Sequence, residues 1–409
     1  MDEKCNQYCC KSLFEMGKLR YSTLMGTAVF MVLSLVWIKD YMSTIQSISP
    51  IDFRKSQEIK INNTLRVFPY PTLTKECFSY DKINAENICC QMHNFHELPE
   101  ILQCVKDTAR DLLSIQRQNE AMQILQKSSR GKKAARKRNN KSQQPIVNWA
   151  FFGDSHARYI FCAIYSRMRS QDFQCRIPSF KGKWRSLGYL HNLLPTCTYR
   201  GGIIEIRHVK LPFVFTFYRD VYLTEIKKYA QLWDADEHLR PTFIVMNSGN
   251  HWMRRLVNNY VKNGVEAAGR IFETHLRSIT PVLRNLAQKT TVIFKMQDDL
   301  QTVHHNVSKV VSFSTENIKH YNGIFRRVLA DTGVLLWDST LPLSLAYNLE
   351  CMDNPRHINT TLWWMCGDRT HVGYILLHQY ADMVLNVACN KHMVMDKNSC
   401  YQKNSTKLM

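Results

Sequence analysis

Three short stretches of the chain carry residue types that work together in nucleophilic catalysis. Residues 153–155 read Gly-Asp-Ser, after the apolar run IVNWAFF (146–152) and before an amphipathic segment over 156–169. Residues 245–252 read VMNSGNHW, again just past an apolar run. Residues 366–374 read CGDRTHVGY and lead into a last amphipathic segment. A serine hydroxyl is a weak nucleophile until a base takes its proton, and the base needs an acid to orient it. Asp368 and His371, three residues apart, fall on one side of a helical turn. The carboxylate is thereby placed to hold one ring nitrogen while the other faces a hydroxyl. Ser155 at a helix start brings its own backbone N–H towards whatever its oxygen attacks. Gly249 and Asn250 offer a backbone amide and a side-chain amide to a developing oxyanion.

Each stretch also has a plainer reading. Asp154 or Ser155 is a suitable N-cap, Asp368 and His371 are ordinary helix-start residues, and NSGNHW reads as a polar loop. Their joint appearance, in order and at matching places, favours the chemical reading.

The elements that must position these residues follow from the apolar pattern. Strands are expected at 146–152, 211–217, 242–247, 291–296 and 334–337, with amphipathic stretches at 156–169, 258–288, 315–331 and 372–389. Short, nearly continuous apolar strands alternating with helices predict an α/β fold, a parallel central sheet flanked by helices on both faces. In such sheets ligands bind at the carboxyl ends of the strands, where all three stretches fall.

Upstream the character changes. The uncharged run YSTLMGTAVFMVLSLVWI (21–38) is flanked by Lys18 and Arg20 on one side and Lys39 and Asp40 on the other. Eighteen apolar residues approach the thickness of a bilayer core, so a single transmembrane anchor is expected there; a cleaved signal peptide is the alternative. Basic residues concentrated before the span predict a cytosolic tail over 1–20 and a luminal body, a single-pass type II arrangement. Asn-x-Ser/Thr sequons at Asn62, Asn140, Asn306, Asn359 and Asn404 agree with a secretory route. So do the eleven cysteines beyond the anchor, most of which would pair in an oxidising lumen, with Cys162 as the expected buried thiol.

The expected organisation places a luminal stem and a cysteine-containing helical cap at 39–127, a helix over 97–127 included. A basic linker follows at 128–145, the catalytic domain at 146–389 and a tail at 390–409. The linker, SSRGKKAARKRNNKSQQ over 128–144, holds seven basic residues and no acid, and the whole chain carries a formal charge of +20. With no nucleic-acid module beside it, the run reads as a solvated linker or a contact for an anionic glycan or headgroup, and no nucleic-acid partner is expected. No cysteine spacing suits a structural metal, and none is expected.

Taken together, GDSHAR (153–158), VMNSGNHW and DRTH (368–371) resemble the SGNH hydrolase superfamily and its PC-esterase-like branch. That branch includes plant trichome-birefringence-like polysaccharide O-acetyltransferases and sialic acid O-acetyltransferases. The resemblance covers about residues 146–389 and implies a three-layer SGNH-type sandwich. It implies Ser155 as nucleophile, His371 as base and Asp368 as its orienter. The oxyanion hole would be formed by the Ser155 amide with Arg158, Gly249 and Asn250. Asp154, His251 and Trp252 are expected near the substrate, and Trp252, Trp363 and Trp364 offer faces for sugar rings, with core packing as the alternative. Two departures stand out: Asn250 separates the glycine and histidine that adjoin in the plant block, and the multi-span domain of the animal enzymes is absent.

The implied activity is transfer or hydrolysis of an O-acyl, chiefly O-acetyl, group on glycan hydroxyls. The expected setting is a Golgi or other secretory membrane. No tightly bound cofactor is expected, and an acetyl donor such as acetyl-CoA would act as co-substrate. The alternative is a catalytically silent luminal protein that keeps the fold to bind a glycan or a partner.

Overall fold

The computed structural model describes residues 70–128, 146–177, 182–186, 202–300, 313–354, 361, 363–368 and 370–390. The tail, the expected anchor at 21–38, the residues up to 69, the basic run from 129 to 145, all five sequons and the segment after 390 lie outside the described residues. Among the described residues no helix is long and apolar enough to cross a membrane.

An eight-stranded mixed sheet forms the centre, and helices flank it. Five strands run parallel in the spatial order β10 (Leu335–Trp337), β9 (Thr291–Lys295), β8 (Phe243–Asn247), β3 (Val147–Gly153), β7 (Phe213–Arg219). These are the five strands expected from the apolar runs. β3 lies near the centre of the eight-stranded sheet, paired with β8 on one side and β7 on the other, and all seven of its residues are buried. A strand covered on both faces gains from apolar residues at every position, which explains the run VNWAFF, apolar throughout but for Asn148.

The expectation of a parallel sheet holds only for this half. β6 (Ile203–His208), β4 (Phe173–Arg176) and the two-residue β5 (Arg185–Ser186) extend it antiparallel beyond β7. β6 reads IIEIRH and alternates in burial, the period-2 signature of a strand with one covered face. Its partner residues in β4 are only four, too short a run to stand out in the sequence.

Two apolar cores lie on the two faces of the sheet. One gathers α2 (Ser155–Arg167), α7 (Leu341–Asp353) and α8 (Tyr374–Cys389) around Trp149, Phe151, Phe161 and Phe215. The other joins Phe152, Met246 and Phe294 to α3 (Ile226–Ala235), α5 (Val257–Ala287) and α6 (Thr315–Leu329). Cys162 is buried on α2.

The described part of the segment expected as a stem and cysteine-containing helical cap packs into the first core. Leu73, Phe95, Ile101 and Val105 belong to it, as does the start of the long helix α1 (Leu98–Ser128). A hairpin of β1 (Phe78–Asp81) and β2 (Asn84–Asn87) is closed by the Cys77–Cys89 disulfide. Cys104 of α1 is bonded to Cys389 at the end of α8, 285 residues away in sequence. Buried Arg167 completes the tie: it donates to the Phe95 carbonyl and to the Asp382 carboxylate. Residues 70–128 thus share this core with the sheet domain, within one compact unit.

Candidate active site

The central strand β3 ends at Gly153, whose φ of +137° is open to glycine alone at low cost. A Cβ here would stand 2.0 Å from the Asn247 carbonyl oxygen at the end of β8, so the neighbouring strand end also requires glycine. Asp154 then caps α2, accepting a hydrogen bond from the His156 N–H at 2.9 Å, and Ser155 is the first helical residue. The first N–H groups of a helix have no acceptor inside it and face outward, along with the positive end of its dipole.

The Ser155 hydroxyl donates to His371 Nε2 at 2.6 Å. His371 Nδ1 donates to Asp368 Oδ2 at 2.8 Å. The other carboxylate oxygen of Asp368 accepts from the N–H and the hydroxyl of Thr370 and from the His371 N–H. A carboxylate held this way fixes both the tautomer and the plane of the imidazole. Burial alone would raise the Asp368 pKa, but the hydrogen bond and charge of His371 with the two Thr370 bonds hold it down at about 2. Burial lowers the His371 pKa below its ordinary value; the hydrogen bond that His371 donates to Asp368 opposes this, and the nearby His156 reinforces it. A neutral imidazole beside an ionised carboxylate is a state in which a histidine can accept a proton from a hydroxyl.

The third stretch closes the site from β8. Gly249 has φ +157°, and a Cβ on it would come within 2.5 Å of the Gln297 side chain, which itself donates to the Ser248 carbonyl at 2.8 Å. Asn247 donates to the Lys295 carbonyl at 3.1 Å. The ends of β8 and β9 are thus laced together, and the short helix α4 (Asn250–Arg255) starts from a fixed point. Asn250 is buried, and its carboxamide nitrogen contacts His156 Nε2.

The other expected residues divide. Arg158 lies in the first turn of α2, its guanidinium over the Tyr159 ring, which in turn lies 4.7 Å from the His371 ring. His251 is half-buried beside Asp154 and His156; burial lowers its pKa, with the Asp154 charge opposing. Asp154 is 1% exposed and serves α2 as its cap, which leaves it no open face for a substrate. Trp252 is 7% exposed, packed against Tyr222, Phe272 and His275, so its ring belongs to the core and not to a sugar platform. Trp363, 48% exposed, remains open, and Trp364 stacks on Tyr347.

A second charged cluster went unread in the sequence. Lys295, at the end of β9, and Asp298 are fully buried and paired at 2.6 Å, with His156 Nδ1 3.7 Å from the second oxygen of Asp298. Nothing in KMQDD (295–299) marks these charges as buried ones, apart from the lysine closing an apolar strand. Among the described residues no cluster of three or more His, Cys, Asp or Glu is placed to hold a metal ion.

No protein-family profile matches the chain, and no curated protein does. Solved structures that it resembles include the acetyl xylan esterase AlAXEase, 18% identical, with 59% of this chain and 99% of that one covered and a TM-score of 0.32. Axe2, an acetylxylan esterase from Geobacillus stearothermophilus, is 15% identical over 63% of this chain and 98% of its own, with a TM-score of 0.31. LAE5, an alpha/beta hydrolase enzyme from the metagenome of Lake Arreo, is 14% identical over 60% and 95%, with a TM-score of 0.32.

Proposed function

We propose that this chain is a serine-dependent acyl hydrolase or acyltransferase, acting on O-acyl, chiefly O-acetyl, groups of glycan hydroxyls. The observation that carries the reading is the unbroken hydrogen-bond chain from Ser155 through His371 to Asp368, set at the carboxyl edge of the central strand. Its three members come from segments 216 residues apart in sequence, at the end of the sheet where ligands bind.

The chemistry runs in two halves. Ser155 Oγ attacks the acyl carbonyl while its proton passes to His371 Nε2, and Asp368 stabilises the imidazolium through Nδ1. The oxyanion that forms faces the N–H groups at the start of α2 and the amides at Gly249–Asn250. His371 then returns the proton to the leaving oxygen or sulfur, and an acyl-Ser155 ester remains. In the second half His371 takes a proton from water or from a sugar hydroxyl, the oxygen attacks the ester, and Ser155 recovers its proton. Water gives hydrolysis and a sugar gives transfer; the same residues serve both.

The acyl donor in the transfer reading is a co-substrate such as acetyl-CoA, and the acceptor a glycan presented on the luminal side of a secretory membrane. The sequons and the apolar run at 21–38 support that setting. Trp363, in the loop that carries Asp368, is exposed, which supports it as the aromatic face for a sugar ring.

The test is reaction of the full-length protein with a fluorophosphonate, read by intact mass and peptide mapping. A single adduct on Ser155, absent from Ser155→Ala and His371→Ala, is expected. A folded protein that takes no adduct would overturn the enzymatic reading and leave the fold a binding module.

A further inference from the structure

His156 follows the nucleophile directly, yet its side chain points away from solvent and is 5% exposed. A buried imidazole one residue from a reactive serine needs a reason. One ring nitrogen, Nδ1, faces the Asp298 carboxylate at 3.7 Å, and the ring as a whole lies 5.2 Å from that of His371. The other nitrogen, Nε2, meets the carboxamide nitrogen of Asn250. Asp298 accepts from Lys295 Nζ at 2.6 Å, and Lys295 also donates to the Met296 carbonyl. The result is a buried line, Lys295, Asp298, His156, Asn250, running from the end of β9 to the start of α4.

The donor sense of this line is determined by its ends. A carboxylate only accepts, so its negative charge places the imidazole proton on Nδ1. Nε2 is then an acceptor, and the Asn250 amide donates to it. A primary amide has two N–H groups, and this bond uses one. The carboxamide oxygen of Asn250 is buried and has no hydrogen-bond partner among the described residues, so none of them gives the side chain a second bond to fix its rotation. An asparagine whose orientation rests on one bond owes that orientation to its partner.

We infer that His156 is a positioning residue: held by the Lys295–Asp298 pair, it fixes the Asn250 carboxamide so that its second N–H is directed at the oxyanion formed on Ser155. This rests on the proposed serine chemistry and assigns to three residues outside the Ser-His-Asp set a part in it. A small cavity of about 10 Å³ separates His371 from Lys295 and Asp298, so the two networks adjoin without sharing a bond. The buried ion pair acts through His156, not on the base directly.

The experiment measures, in the full-length protein, the rate of Ser155 labelling by a fluorophosphonate, and kcat and KM for an activated acetyl ester. It compares His156→Phe, His156→Gln, Asn250→Ala and the double variant His156→Phe/Asn250→Ala with the unaltered chain. Loss of one oxyanion donor lowers kcat by about 10²- to 10³-fold. His156→Phe and Asn250→Ala should each fall by about that amount with KM nearly unchanged, and the double variant should be no slower than either. Glutamine places an acceptor near the position of Nε2, so His156→Gln should recover at least about tenfold over His156→Phe.

Full labelling of His156→Phe, multiplying losses in the double variant, or no recovery by glutamine would each overturn the assignment while leaving the serine chemistry intact. An unaltered chain that takes no label would overturn both. If His156→Phe does not fold, His156→Ala against His156→Gln gives the same contrast, and equal rates would refute the assignment.

Discussion

Asp368–His371 and Asp298–His156 bring the same two residue types to the same edge of the sheet, their imidazoles 5.2 Å apart. The first pair is in contact at 2.8 Å and partly open to solvent; the second stands at 3.7 Å and is buried throughout. What separates them is the third partner. Asp368 is surrounded by N–H and O–H donors and spends its charge on His371, whose free nitrogen meets a hydroxyl. Asp298 is paired with a lysine at 2.6 Å, and the imidazole beside it meets a carboxamide. A carboxylate–imidazole pair therefore becomes a base or a strut according to what lies beyond it, and burial decides how much the wrong partner would cost.

The largest test of that contrast removes the reacting groups. Ser155→Ala or His371→Ala should lower turnover of an activated ester by about 10⁶-fold, since nucleophile and base act as one unit. Asp368→Asn keeps the shape but disturbs the tautomer of His371, and the expected loss is about 10⁴-fold. A loss of only about tenfold for Asp368→Asn would place the two aspartates on the same footing, contrary to the comparison.

The buried pair should respond in stability first. Lys295→Met leaves Asp298 as an uncompensated charge, and breaking a buried ion pair costs about 3–5 kcal/mol. Urea unfolding followed by tryptophan fluorescence measures it. Lys295→Met with Asp298→Leu removes both charges and should recover most of that stability. Turnover should stay low in the double variant, because nothing then selects the His156 tautomer. Recovery of both would show that the pair only fills space.

Why one pair was legible in the sequence and the other was not follows from the same contrast. Asp368 and His371 lie three residues apart in a loop, so their contact is local and survives without knowledge of the fold. Gly153-Asp154-Ser155 and Ser248-Gly249-Asn250 break apolar runs, and each break marks a strand's carboxyl end. The line through His156 is assembled from β9, the start of α2 and the start of α4, and only the sheet order β9-β8-β3 brings them together. Charged residues such as Lys295 and Asp298 read as solvated until their neighbours are known.

The same limit explains the fold-level differences. Long apolar strands announce themselves, whereas β4 and β5 are strands only by virtue of pairing with β6. Cys104 and Cys389 pair across 285 residues, a choice that spacing does not encode. Trp252 shows the converse: an aromatic beside a polar motif invites both a substrate and a core reading, and its ring packs on Phe272 in the core.

The smallest effect is the most discriminating for the comparison, because it reads one pair through the other. Groups facing His371 are Ser155, Asp368, Tyr159, His156 and, at longer range, Asp154. Burial lowers the His371 pKa below 6.5, Asp368 and Asp154 raise it, and His156 adds to the lowering. Protonated His371 accepts nothing from Ser155, so labelling and kcat/KM should fall with decreasing pH along a single acid limb whose midpoint lies below 6.5. Asp368, held at about 2, stays ionised across that limb and adds no second step. His156→Gln removes the neighbour that adds to this lowering and should move the midpoint upward, towards 6.5. A downward movement would mean that His156 had been helping His371 hold its proton. In that case the two pairs form one coupled set and not a base beside a strut.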